Sequence, residues 1–178
     1  MVKVLGSVCY AQCGALIAAF EELASGPQAR RHGHRVEVYG GSFRWHEVHP
    51  VLTALRRQAR EVTEGEYVNL TLLARMDPGD SHVMHADNVM LDGRTPNHTP
   101  WRTHTAMVYL NRRAPEWGGE LVLPGVGLRY TPRTGTMVAM PAGHAYRHEV
   151  TEVKEGSRYT VAIWMTDDPK HEETWDAD

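Results

Sequence analysis

From Tyr67 onward, short runs of apolar and β-branched residues alternate with Gly, Pro and Asn turns. The pattern predicts strands over 67–76, 105–110, 120–123, 128–130, 136–140, 146–150 and 159–165. Many short strands at close spacing indicate a sandwich or barrel, not a parallel α/β sheet. The first 65 residues read as mostly helical. Leu16, Ile17, Phe20 and Leu23 recur at helical spacing after a candidate N-cap at Ser7, and Gly26-Pro27 stops the run. Val36 and Val38 alternate as a short strand before Gly40-Gly41. A second helix starts near Pro50, carries Val51, Leu52, Leu55, Ala59 and Val62, and ends at Gly65. No repeat or long linker divides the chain. The expectation is one domain over 1–178, mainly β with N-terminal helices, its helical part about 1–65 and its β core about 66–168.

Composition narrows the function classes. The chain has 178 residues, 42% hydrophobic and 23% charged, a globular balance. A net charge of -3 gives no basic surplus for a phosphate backbone, so nucleic acid is not the expected partner. No apolar run is long enough to span a membrane. The opening stretch is interrupted by Gln12, Glu21 and Glu22 and reads as mature chain, not signal peptide. Two cysteines, Cys9 and Cys13, are too few for a disulfide framework and read as small core residues of the first helix. The expected location is cytoplasmic. Of eleven histidines, six fall between positions 82 and 148.

Those histidines hold the candidate chemistry. In His85-Ala86-Asp87, an imidazole and a carboxylate two residues apart point to one face of an extended chain. They make two legs of a metal site. His148 is the best candidate for the third, with His144 its rival. Two histidines and one carboxylate on one face of an octahedral metal leave three positions open, the non-haem Fe(II) oxygenase arrangement. Ten residues after His148 comes Arg158, which shares a strand face with Thr160, Ala162 and Trp164. An arginine pointing into a barrel needs an anion. A dicarboxylate provides one, gripped bidentately by the guanidinium, with Thr160 and Tyr109 as further hydroxyl donors. The aperiodic segment 87–103 has the length of a functional loop.

The stretch from about 76 to 173 resembles the 2-oxoglutarate and Fe(II)-dependent dioxygenases of the prolyl hydroxylase type, and among them the leprecan, or prolyl 3-hydroxylase, branch. The residues that carry the resemblance are His85-Ala-Asp87-Asn88, Arg102, Tyr109-Leu110-Asn111, Gly118-Gly119-Glu120-Leu121, Gly135-Thr-Met, His148, Gly156-Ser-Arg158 and Ala162-Ile-Trp164-Met-Thr166. The resemblance implies a double-stranded β-helix, or jelly-roll barrel, with iron at its open mouth. His85, Asp87 and His148 would be the metal ligands. Arg158 and Tyr109 would hold the distal carboxylate of 2-oxoglutarate. Trp164 would form an aromatic wall near the metal, and Arg102 falls on an arginine that in some relatives faces the substrate, with a structural ion pair as its other reading.

The implied reaction consumes Fe(II)-bound 2-oxoglutarate and dioxygen, with ascorbate in support. It releases succinate and carbon dioxide and hydroxylates an unactivated C–H bond of proline, a prolyl residue or another amino-acid-derived small molecule. The same site serves desaturation, epoxidation or ring expansion in related enzymes, and a protein-modifying oxygen sensor shares these motifs. A halogenase is disfavoured because Asp87 occupies the position a halide needs. A non-catalytic barrel is the alternative of a different class. Relatives often carry tyrosines where Met76 and His82 stand here; His82, Asn69 or Thr71 are candidate substitutes. Animal prolyl 3-hydroxylases are larger, secretory and cysteine-rich, so the expected substrate is a small molecule or short peptide and not collagen.

Overall fold

A computed structural model describes residues 1–175. Two helices, α1 (Tyr10–Ala24) and α2 (His49–Thr63), precede or interleave with β1 (Lys3–Gly6), β2 (Ala29–His32), β3 (Arg35–Tyr39) and β4 (Tyr67–Met76). There follow β5 (His82–His85), β6 (Arg102–Tyr109), β7 (Leu121–Leu123), β8 (Leu128–Tyr130), β9 (Thr136–Pro141), β10 (His148–Val150) and β11 (Arg158–Thr166). A seven-stranded sheet runs β1-β9-β6-β11-β4-β3-β2 and a four-stranded sheet β5-β10-β7-β8. Their strand pairs are antiparallel. This is the double-stranded β-helix expected from the resemblance.

Strand alternation sorts the side chains. Odd positions of β11 (Val161, Ile163, Met165) and even positions of β6 (Ala106, Val108) pack with Leu16, Phe20, Leu52 and Leu55 of the helices. The opposite faces turn into the barrel, where Tyr109 and Val138 of the large sheet meet Leu121 and Leu123 of the small one. The helices cover one face of the large sheet, and the barrel interior is left to chemistry.

The N-terminal region departs from expectation in three ways. Besides the expected strand at Val36 and Val38, which is β3, it contributes β1 and β2 to the large sheet, so it is not mostly helical. The cap of α1 is Cys9, whose N–H is accepted by the Gln12 side chain at 3.0 Å; Ser7 instead donates to Gln58 Oε1 at 2.5 Å, tying β1 to α2. Cys13 is a core residue as expected, whereas Cys9 is exposed.

The C-terminal segment straps across α2. Trp175 is buried, the Arg56 guanidinium lies 3.9 Å from its ring centroid, and Arg56 pairs with Glu173 at 2.6 Å. Gly40 makes room for this indole: a Cβ there would meet Trp175 at 2.1 Å. Gly40→Ala should therefore overpack the junction and cost about 1–3 kcal/mol. An unchanged denaturation midpoint would show that the strap yields without strain.

Candidate metal centre

The site is built where the edge of the small sheet faces the large one. His148 on β10 is the register partner of His85 on β5, so the antiparallel ladder sets the two imidazoles side by side. Their ring centroids are 4.3 Å apart. Asp87 follows β5 by two residues, and its N–H is tied to the Ala142 carbonyl at 3.0 Å. His85 Nε2 is 3.7 Å from Asp87 Oδ1, and His148 Nε2 is 3.9 Å from Asp87 Oδ2. One donor atom from each residue falls within 4.8 Å of the other two.

The neighbours prepare these groups for a cation. His85 Nδ1 donates to the Val83 carbonyl at 2.9 Å and His148 Nδ1 to the Tyr146 carbonyl at 3.1 Å. Both bonds fix the tautomer that presents a bare Nε2. Burial pushes the His148 imidazole below its ordinary range, which favours the neutral, ligating form despite Asp87. Burial alone would raise the Asp87 carboxyl, but His148 and His85 whenever they carry a proton, the Thr105 hydroxyl and Arg102 together hold it below its ordinary value. Thr105 Oγ1 donates to Asp87 Oδ2 at 2.5 Å, leaving Oδ1 free to ligate. His144, the rival third ligand, is elsewhere: its Nε2 donates to the Leu91 carbonyl at 2.9 Å.

Behind the triad lies a buried cation. Arg158, Tyr109 and Thr160 are all buried on the inward faces of β11 and β6, with Thr160 and Tyr109 in register. Arg158 Nε donates to the Gly119 carbonyl at 3.0 Å and Nη1 touches Met76 Sδ at 3.4 Å. Arg158 Nη2 and Tyr109 Oη are buried and have no hydrogen-bond partner among the described residues. Burial depresses the guanidinium, partly offset by Tyr109, and pushes the Tyr109 phenol up to about 12, so it stays a donor at neutral pH. Two unmatched buried donors around one guanidinium fit a carboxylate ligand. Met76 offers only a weak sulfur acceptor.

In front of the triad is a cavity of about 480 Å³. His82, Met84, Met90, Leu91, Arg102 and Trp164 are among its lining residues. His82 stacks 4.1 Å from His85, and burial with the neighbouring His85 pushes it down to about 3, so it is neutral. Thr71 is not part of the site: its hydroxyl accepts from Arg56 on the helical side. Asn69 reaches the site indirectly, through Arg102. His98 lines the cavity and His104 does not.

The segment 88–101 is folded, not aperiodic in space. Met90 N–H bonds the Thr95 carbonyl at 2.7 Å, and Asp92 caps the turn by accepting from Arg94 and Thr95 backbone N–H groups at 2.8 Å each. Asn97 and Thr99 tie it to the carbonyls of Ala86 and Asp87. Thr105 is the contributor that sequence reasoning missed. It shares the inward alternation of Met107 and Tyr109, which would have pointed to it.

A jelly-roll barrel with two histidines and an aspartate converging at its mouth defines a non-haem Fe(II) oxygenase architecture. The model of the 2OG-Fe(II) oxygenase superfamily matches residues 71–166, and the chain belongs to that superfamily. That superfamily comprises Fe(II)- and 2-oxoglutarate-dependent oxygenases, and the His85–Asp87–His148 donor set fits its metal. Over 125 residues it is 34% identical to human prolyl 3-hydroxylase 3, a match covering 64% of this chain and 16% of that protein. The chain thus spans only a small part of the curated relatives it matches. The viral collagen prolyl hydroxylase of Paramecium Bursaria Chlorella virus-1, solved with 2OG, superposes with a TM-score of 0.72 at 19% identity, covering 94% of this chain and 96% of that one. A prolyl hydroxylase of Trichoplax adhaerens, solved with a hypoxia inducible factor peptide, gives 0.74 at 15% identity, covering 96% and 84%. These last two likenesses concern the fold.

Proposed function

We propose that the protein hydroxylates an unactivated C–H bond of proline, a prolyl residue or another amino-acid-derived small molecule. In the balanced reaction, substrate C–H, 2-oxoglutarate and dioxygen give C–OH, succinate and carbon dioxide. The observation that carries this reading is the pairing of a His85–Asp87–His148 donor set with a buried, carboxylate-less Arg158 behind it.

His85, Asp87 and His148 would hold the iron. Bound there, Fe(II) with 2-oxoglutarate supplies the oxidising power that activates dioxygen. Arg158, with the hydroxyls of Tyr109 and Thr160, would take the distal carboxylate of 2-oxoglutarate. Val83 and Tyr146 hold the two imidazole tautomers, and Thr105 holds the Asp87 carboxylate. Met84, Met90 and Leu91 give the front cavity an apolar side, and Arg102 and Trp164 bound the space a substrate would occupy. Two free cysteines suit a reducing compartment, which supports a cytoplasmic location.

The test is succinate formation from 2-oxoglutarate with Fe(II) and ascorbate, with mass spectrometry on a panel of amino acids and short peptides under ¹⁸O₂. The expected product carries one heavy oxygen atom. Unchanged 2-oxoglutarate across the whole panel would remove the oxygenase reading.

A further inference from the structure

The substrate cavity holds a second guanidinium, and its setting differs from that of Arg158. Arg102 opens β6 at the end of the folded loop, and it lines the cavity beside Asp87 and Trp164. Its Nε donates to Asn69 Oδ1 at 3.1 Å, and its guanidinium carbon lies 4.2 Å above the Trp164 ring. Asn69 is itself oriented, because its Nδ2 donates to the His171 carbonyl at 2.8 Å. The His171 ring stacks on Trp101 at 3.7 Å with 4° between the planes. The C-terminal strap thus fixes Asn69, Asn69 fixes the Nε edge of Arg102, and Trp164 fixes its plane. These contacts leave the paired Nη groups for the cavity. Arg102 makes no ion pair within contact distance among the described residues; burial opposes its charge, and the nearby Asp87 offsets this in part. The remaining walls set apolar Met84, Ala86, Val89, Met90 and Leu91 beside polar His82, Asn97, His98 and Thr99. A fixed planar fork facing a cavity with one apolar side matches a carboxylate, gripped bidentately by the guanidinium and carried on an apolar body.

We infer that Arg102 is the specificity-determining residue for a substrate carrying a free carboxylate, and that Asn69 is its positioning residue. The inference rests on the proposed oxygenase reading and names the substrate class within it. A chain-internal prolyl residue has no carboxylate and is disfavoured. The carboxylate comes either from a free amino acid or from the C-terminus of a short peptide. Arg102 holds that end, and the C–H to be attacked lies on the apolar body, turned towards the triad.

Anaerobic calorimetric titration of the Fe(II)- and 2-oxoglutarate-loaded protein tests this. The probes are L-proline, L-leucine and glycyl-L-proline, each paired with its C-terminal amide, and a proline-containing tripeptide blocked at both ends. At least one acid should bind about tenfold to a hundredfold more tightly than its amide, the effect of losing a hydrogen bond between charged groups. Preference for a free amino acid or for the dipeptide identifies the source. Arg102→Gln should bring the acid-to-amide ratio to within about twofold, and Asn69→Leu should lower the same ratio by a smaller factor. A merely structural role for Asn69 would weaken acid and amide alike and leave the ratio unchanged. Equal binding of acids and amides by the wild type, tightest binding of the blocked tripeptide, binding of none of the probes, or an unaltered ratio in Arg102→Gln each overturns the inference. Titration of 2-oxoglutarate alone separates the two levels, because a wild type that fails to bind it overturns the oxygenase reading itself.

Discussion

Alanine at any one of His85, Asp87 or His148 should abolish iron-dependent turnover and leave the fold standing. Residues that only orient a metal ligand typically change affinity by about 10–100-fold, so loss of a ligand should exceed about 100-fold. The fold should survive because the three side chains converge on one another at the barrel mouth, apart from the apolar clusters that join helices to sheet and sheet to sheet. The losses should differ in kind. Asp87→Ala removes the anionic ligand and leaves the Thr105 hydroxyl without its acceptor. His148→Ala empties a buried position on β10, whereas His85 is partly exposed on the edge strand β5. The melting temperature should therefore fall more for His148→Ala than for His85→Ala, while iron affinity collapses in both. His144→Ala is the informative control, since its ring serves the Leu91 carbonyl and should leave iron affinity within about twofold. Iron titration with circular dichroism on the same samples decides the matter. Retained iron binding in His148→Ala would mean the third ligand is another group.

The sequence disclosed this site unevenly, and the reasons are physical. Helix α2 and strands β4, β6, β9 and β11 were legible because each buries one face against a continuous core and so carries its period in the residues. Strands β1 and β2 were not, because each is a four-residue edge strand with little buried surface; Ala29–His32 is mostly exposed and polar. The Cys9 cap escaped notice because its reciprocal bond comes from Gln12, while Ser7 spends its hydroxyl on Gln58. The His85–Asp87 pair was readable from spacing alone. His148 was preferred to His144 through its place in the motif order before Gly156-Ser-Arg158, and the cross-strand register with His85 supplies the physical reason. The strap stayed hidden because its contacts are long-range. Nothing near Arg102 in sequence announces that Asn69 and His171, 33 and 102 positions apart from their respective partners, set its orientation.

Arg158→Lys should weaken 2-oxoglutarate about tenfold to a hundredfold and leave iron affinity unchanged. Both side chains are cations, so a pure charge effect would spare the protein. The guanidinium, however, has its donors divided. Nε is held by the Gly119 carbonyl, Nη1 rests on Met76 Sδ, and Nη2 is unmatched beside the unmatched Tyr109 hydroxyl. A carboxylate entering there gains Nη2 and Tyr109 directly. It takes over Nη1 once the flexible Met76 side chain gives way, a poor acceptor exchanged for a charged one. An ammonium cannot keep the Gly119 bond and present a fork at once. Losing one hydrogen bond to a charged group costs about 1.5–3 kcal/mol, which is the stated factor. The same exchange predicts a thermal signature. At about 100 times its Kd, 2-oxoglutarate should stabilise the wild type by about 2.7 kcal/mol. At that concentration a variant with tenfold weaker affinity gains roughly 1.4 kcal/mol, and one with hundredfold weaker affinity about 0.4 kcal/mol. Titrations of 2-oxoglutarate against both iron-loaded proteins, with melting curves at matched concentration, measure the two effects independently. Equal affinities and equal melting shifts would mean that Arg158 does not grip the cosubstrate, and its buried charge would then need another anion.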